Sequence, residues 1–153
     1  MTEMIEGLVL PDVEHGDAAP FWAGCAAGEL RVQSCSSCGL RRMPPRPMCP
    51  ACRSFEQAWD ATAGTATIWS FIVAHPPLLP AYAAQAPYNV VVVSLDDDPA
   101  IRLVGNVVSG AGARLDSVDP SELKIGAAVQ VVFSQAADDV VIPQWTLRPR
   151  KGA

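Results

Sequence analysis

Charge is sparse in this chain: Asp, Glu, Lys and Arg together make up 18% of 153 residues, aromatic side chains only 7%, and histidine occurs twice. Eleven bases stand against 16 acids, a net charge of −5 at pH 7. That balance argues against a protein built to grip phosphate backbones, because such affinity comes from Lys and Arg neutralising phosphates. Long uninterrupted helical stretches are missing too: 14 Pro and 11 Gly punctuate the chain and exclude a helical bundle. The length fits one domain, or one domain plus a small module, and rules out a large multidomain enzyme. The start, Met1-Thr2-Glu3-Met4-Ile5-Glu6, lacks a basic stretch followed by an apolar run, so no signal peptide and a cytoplasmic location are expected. Thirty-five residues between Asp60 and Asp96 carry no charge, but Pro76, Pro77, Pro80 and Pro87 break them and Thr, Ser, His75, Gln85 and Asn89 wet them. A spanning helix does not fit, and no membrane role is expected.

What is present falls into blocks. Residues 1–17 read as an acidic, extended lead. Asp17 is placed to cap a short helix through Ala18–Ala27, with Pro20 in its first turn, Gly28 closing it, and Phe21, Trp22 and Cys25 on one face. Cys25 is expected to be a small apolar core residue. From Glu29 to Arg53 five Arg stand against the single Glu29, with four Cys and four Pro among them. Beyond this module, strands are expected at 65–73, 88–95, 101–108, 128–134 and 140–147, from β-branched runs separated by Asp96-Asp97-Asp98-Pro99, Gly110-Ala111-Gly112 and Ala136–Asp139. Five strands in so short a span predict a small OB-like barrel. The reading is a mainly β protein: lead 1–17, helix plus ribbon 18–54, barrel 55–148, tail 149–153.

The chemistry is concentrated in two Cys-x-x-Cys pairs, Cys35/Cys38 and Cys49/Cys52, ten residues apart. Each pair puts two thiolates on one knuckle, and two knuckles on a hairpin close a tetrahedral site of four thiolates. Zinc is the expected metal, with rubredoxin-like iron the competitor that shares the ligand set. Four protein ligands leave no open position, so the metal is structural. It should supply the folding energy of a module too small for its own core, on the order of 10–16 kcal/mol in small zinc peptides. Arg41, Arg42 and Arg46 lie between the knuckles, either as solvated charge or as an anion site suited to phosphate. His15 and His75 read as surface or turn residues. No Ser/His/Asp arrangement, paired-carboxylate motif or glycine-rich phosphate loop is legible, so a catalyst acting alone is not expected. The proline-stiffened segment 76–87 either packs on its own barrel or forms an apolar patch for a partner. Trp145 and Leu147 either extend that patch or face inward.

Taken together, Phe21-Trp22-Ala23-Gly24, the run Gly28–Gly39, Pro44-Pro45-Arg46-Pro47-Met48-Cys49-Pro50-Ala51-Cys52, Gly64, Trp69-Ser70, Pro87-Tyr88, Leu103–Asn106 and Ile125-Gly126 resemble a family. It is the zinc-ribbon/OB-fold family associated with acyl-CoA metabolism, formerly a domain of unknown function, and the resemblance covers about residues 18–147. It implies a non-catalytic accessory or scaffold subunit that binds a thiolase-like enzyme, a lipid-transfer-protein-like aldolase or another acyl-CoA enzyme. It also gives Arg41, Arg42 and Arg46 a use against CoA phosphates while a CoA thioester is held or channelled. Arg53 stands where many ribbons of the family place Gly, so the second knuckle is expected either to be less regular or to accommodate Arg at that position. Trp145 stands where a smaller aromatic is expected. The alternative reading is a single-stranded nucleic-acid binder using the OB barrel, disfavoured by the acidic charge.

Overall fold

The computed structural model describes residues 7–149. Helix α1 (Ala19–Ala26) carries Pro20 in its first turn and buries Phe21 and Cys25. Ala18, with no side-chain bond, occupies the N-cap, so Asp17 does not cap the helix. Pro20 offers no N–H in that first turn, which leaves one donor fewer for a cap to satisfy. The far end closes on Gly28 (φ 77). Gly28 N–H donates to Cys25 C=O at 3.1 Å and Glu29 N–H to Gly24 C=O at 2.8 Å, a Schellman ending that needs a left-handed residue at Gly28.

Two antiparallel sheets follow. Strands β1 (Arg31–Cys35), β2 (Arg41–Arg42) and β3 (Gln57–Ala61) form one sheet in the order β2-β1-β3. Sequence reading missed β3, which falls in the span expected for the barrel yet pairs with β1 through Arg31↔Ala61 to Cys35↔Gln57. Its pattern, Gln-Ala-Trp-Asp-Ala, has little β-branching to announce it. The second sheet holds all five expected strands: β4 (Thr65–Ala74), β5 (Tyr88–Leu95), β6 (Arg102–Gly105), β7 (Ala128–Ala137) and β8 (Val140–Leu147), ordered β6-β5-β4-β7-β8. A bulge in β4 between Ile68 and Ser70 leaves Trp69 without a partner across the strand. Trp69 lies half-exposed with the Arg102 guanidinium 4.0 Å over its ring.

The sheet curls until its ends meet, which makes the fold OB-like. Val107 bridges Trp145 in parallel, with Trp145 N–H donating to Asn106 C=O at 2.9 Å and Val108 N–H to Trp145 C=O at 2.8 Å. Asn89 seals the same seam from β5. Its Nδ2 donates to Val107 C=O at 2.8 Å, and its Oδ1 accepts from Val107 N–H at 2.7 Å. A side-chain amide thus stands in for a strand neighbour, satisfying both backbone groups of a fully buried residue.

One apolar cluster fills the interior. Phe21, Cys25, Leu30 and Val32 from the helix and ribbon pack with Ile68, Val91, Val93, Leu95, Val129 and Trp145 from the barrel. Trp145 points inward at 1% exposure. Gly105 opposite it makes room, since a Cβ there would lie 3.1 Å from Trp145 Nε1. The segment 76–87 packs on the barrel in part: it forms the short helix α2 (Pro80–Ala83), with Ala81 and Gln85 buried and Leu79 exposed.

Candidate metal centre

The hairpin of β1 and β2 carries the first knuckle at its turn, and the loop before β3 carries the second. Both have the same backbone wiring. Gly39 N–H donates to Cys35 C=O at 2.8 Å and Cys35 N–H to Leu40 C=O at 2.9 Å; Arg53 N–H donates to Cys49 C=O at 2.9 Å and Cys49 N–H to Ser54 C=O at 2.8 Å. Gly39 takes φ 80 and Arg53 takes φ 64, the one non-glycine residue at positive φ among those described. The second knuckle is therefore as regular as the first, and Arg53 is accommodated in it. The turn imposes its left-handed conformation on an arginine instead of deforming around it. Ser36 N–H donating to Glu56 C=O at 3.1 Å and a Ser37–Ser54 hydroxyl pair at 2.9 Å lock the knuckles together.

The four sulfurs of Cys35, Cys38, Cys49 and Cys52 lie within 4.8 Å of one another. Cys35 and Cys52 Sγ are 3.5 Å apart, Cys38 and Cys49 Sγ 3.7 Å. A disulfide needs about 2.05 Å, so none is formed. A tetrahedral zinc with bonds of about 2.3 Å requires sulfurs about 3.8 Å apart, and the observed spacing fits it. The knuckles also prepare the thiols. N–H groups of Cys38 and Ser37 pull the Cys35 thiol down to about 6, and those of Cys52 and Ala51 lower Cys49. Cys52, although the Ser54 N–H acts to lower it, is pushed up to about 11 by its place beside the Cys35 sulfur, by burial and by the other two thiols. A divalent cation replaces the protons that such a cluster otherwise has to share. Cys25 lies outside this group, buried on α1, and burial pushes its thiol up to about 12.

The three arginines are not brought to one face. As neighbours on β2, Arg41 and Arg42 point to opposite sides. Arg41 Nε donates to Asp60 Oδ2 at 3.2 Å. Arg42 is buried, its Nη2 donating to Arg46 C=O at 3.0 Å while Nε and Nη1 meet no acceptor among the described residues. Arg46 extends into solvent. Its backbone is fixed by a residue that sequence reasoning passed over: Gln33 on β1, fully buried, accepts from Arg46 N–H at 2.8 Å and donates through Nε2 to Gln57 Oε1. Gln33 lies on the face of β1 opposite Val32 and is covered by the loop that carries Arg46, so the alternation of the strand did not announce it. Leu40, Met48 and Phe55 are exposed around the knuckles, Phe55 at 70%. His15 and His75 are exposed, as expected.

With this geometry in place, comparison with known proteins is direct. Residues 22–56 match the profile of the ChsH2 rubredoxin-like zinc ribbon domain, and residues 59–134 that of the ChsH2 C-terminal OB-fold domain. A solved structure described as Ltp2-ChsH2(DUF35) aldolase aligns over 90% of this chain and 98% of its own, with 31% identity and a TM-score of 0.76. The chain belongs to the ChsH2 zinc-ribbon/OB-fold family. A relative from Thermomonospora curvata named probable enoyl-CoA hydratase alpha subunit is 36% identical over 126 residues, 80% of this chain and 35% of the relative. The chain thus spans about a third of that protein's length. A DUF35 domain-containing scaffold protein from Methanocaldococcus jannaschii is 28% identical over 109 residues, 69% of this chain and 67% of that one. Membership of the family confirms the ribbon-then-barrel order read from the residues. Among the described residues no helix is long and apolar enough to cross a membrane.

Proposed function

We propose that this chain is a non-catalytic accessory subunit of an enzyme acting on CoA thioesters, with a thiolase-like protein or a lipid-transfer-protein-like aldolase as the catalytic partner. The observation that carries this reading is the alignment of nearly the whole chain with one in an Ltp2-ChsH2 aldolase, reinforced by relatives named as a scaffold protein and a hydratase subunit. Cys35, Cys38, Cys49 and Cys52 hold structural zinc, whose four thiolates leave no position for substrate. The zinc fixes a rigid ribbon that presents Leu40, Met48 and Phe55 to the partner, apolar side chains more costly to leave in water than to cover. Arg46 is the arginine offered to a CoA phosphate. Arg41 and Arg42 hold β2, the strand that leads into the loop from which Arg46 projects.

The test is co-expression with a thiolase-like or aldolase protein encoded in the same host, followed by sizing, metal analysis and turnover of acyl-CoA. A stoichiometric complex containing zinc, in which the partner supplies the nucleophile, supports the reading. Enzyme-like turnover of acyl-CoA by the purified chain alone sinks it, as does a clean monomer that instead binds oligonucleotides with steep salt dependence. A colourless preparation separates zinc from iron.

A further inference from the structure

A second feature lies away from the metal, on the barrel wall behind α2. Leu8–Pro11 of the N-terminal lead line one side of a pocket of about 180 Å3, whose walls include Tyr82, Gln85, Asn106, Leu115, Ile142 and Gln144. The lead is tied down there by Val9 N–H donating to Tyr82 Oη at 3.2 Å. No lining side chain among the described residues is charged.

Its polar groups are arranged with a definite sense. Gln85 and Gln144 are 3% and 4% exposed. Gln85 Oε1 accepts from Leu115 N–H at 2.9 Å, which fixes the amide so that Nε2 is its remaining group. Ser134 Oγ accepts from Gly112 N–H at 2.9 Å and donates its hydrogen to Gln144 Oε1 at 2.6 Å, which leaves Nε2 as the remaining group. Neither Nε2 meets an acceptor among the described residues. Asn106 is oriented the opposite way: its Nδ2 donates to Asn89 C=O at 2.7 Å, so its remaining group is the acceptor Oδ1. The pocket therefore offers donors from two deeply buried amides and one acceptor, within an apolar, uncharged wall.

We infer that this pocket binds a neutral aliphatic chain carrying a secondary amide. The amide carbonyl accepts from Gln85 and Gln144, the amide N–H donates to Asn106 Oδ1, and the alkyl portion lies against Leu8, Leu10, Leu115 and Ile142. A carboxylate is disfavoured, because no cation among the described residues of the wall compensates a buried charge. A pocket of about 150 Å3 already takes a ligand the size of benzene, so a chain of similar bulk fits. The inference does not rest on the accessory-subunit reading, and failure of the binding test leaves that reading standing.

The experiment titrates the full zinc-loaded, 15N-labelled chain with N-butylacetamide and follows the side-chain amide signals of Gln85 and Gln144 by NMR. Both signals should shift and saturate with one Kd, while pentanoate of matching length binds at least tenfold more weakly. Gln144→Glu, which keeps the acceptor for Ser134 and removes the donor, should weaken the amide at least tenfold. Ala113→Leu, which narrows the pocket with both glutamines intact, should do the same and covers the case in which Gln144→Glu does not fold. Absence of saturable shifts overturns the inference. So does pentanoate binding as tightly as the amide, or wild-type affinity in either folded variant.

Discussion

Arg53 holds a conformation that an L-residue enters at a cost of about 1–2 kcal/mol. Glycine would remove that strain and give back part of the gain through its freer unfolded chain, about 0.5–1 kcal/mol. Arg53→Gly is therefore expected to stabilise the zinc-loaded protein by about 0.5–1 kcal/mol, seen as a higher denaturant midpoint at unchanged m-value. Cys25 makes a prediction of opposite direction. Burial lifts its thiol from the ordinary value of 9.0 to about 12. Above pH 9 the unfolded chain loses this proton while the folded chain keeps it. The folded state then binds more protons, so stability falls as pH rises from 9 toward 12. The wild type should lose stability relative to Cys25→Ala across that window, measured as the difference between the two denaturation free energies at each pH. Both residues illustrate how much was legible in the sequence. Cys25 read correctly as core because its spacing from Phe21 and Trp22 placed it on the buried stripe. The regularity of the second knuckle could not be read from the residue, because residue preference reports only what a turn finds comfortable. The ladder of bonds around Cys49 determines what it will tolerate.

At the level of elements, the seam of the barrel joins two backbone bonds to the amide of Asn89, which alone satisfies both backbone groups of Val107. Removing that amide strands the N–H and C=O of Val107, each costing about 1–3 kcal/mol when buried and unpaired. Asn89→Leu should therefore destabilise the protein by about 2–5 kcal/mol, measured by urea denaturation, with amide exchange rising first along β6 and residues 106–108. An unchanged midpoint would show that the seam closes without it. The five barrel strands were visible from their β-branched runs and turn residues. The closure was not, since it depends on a parallel bridge between segments almost forty residues apart and on a polar residue at an inward position of β5. Alternation along β5 placed Asn89 with Val91, Val93 and Leu95, which was a usable signal. Strand β3 gave no comparable signal, because it is short, polar and specified by its partner β1. The metal centre lay at the other extreme: the spacing of four cysteines carried it completely. The arginines did not sort by sequence, because which face of β2 each takes depends on the pairing to β1.

For the whole molecule, the decisive feature is that helix, ribbon and barrel share one interior. Chelating the metal is expected to release the knuckles and with them Phe21, Leu30 and Val32. Burial of such side chains is worth about 1.5–3 kcal/mol each, an upper estimate of about 5–9 kcal/mol together. The barrel should feel this as a fall in its own melting temperature. Calorimetry should show a single transition with metal bound, and hydrogen exchange after chelation should rise in β4, β5 and β8 as well as in β1–β3. A barrel that melts unchanged after metal removal would show that the two sheets are independent.

The common interior also bears on descent. A ribbon whose apolar residues complete a neighbour's core cannot be exchanged for another ribbon without opening that core, and a barrel separated from its ribbon exposes the surface around Trp145. Recombination can therefore move the pair intact far more easily than either half. In the hydratase subunit from Thermomonospora, the matched stretch of 126 residues makes up 35% of a longer polypeptide. Inherited as a cassette, the pair can be carried within longer polypeptides while its own interior stays under the same selection.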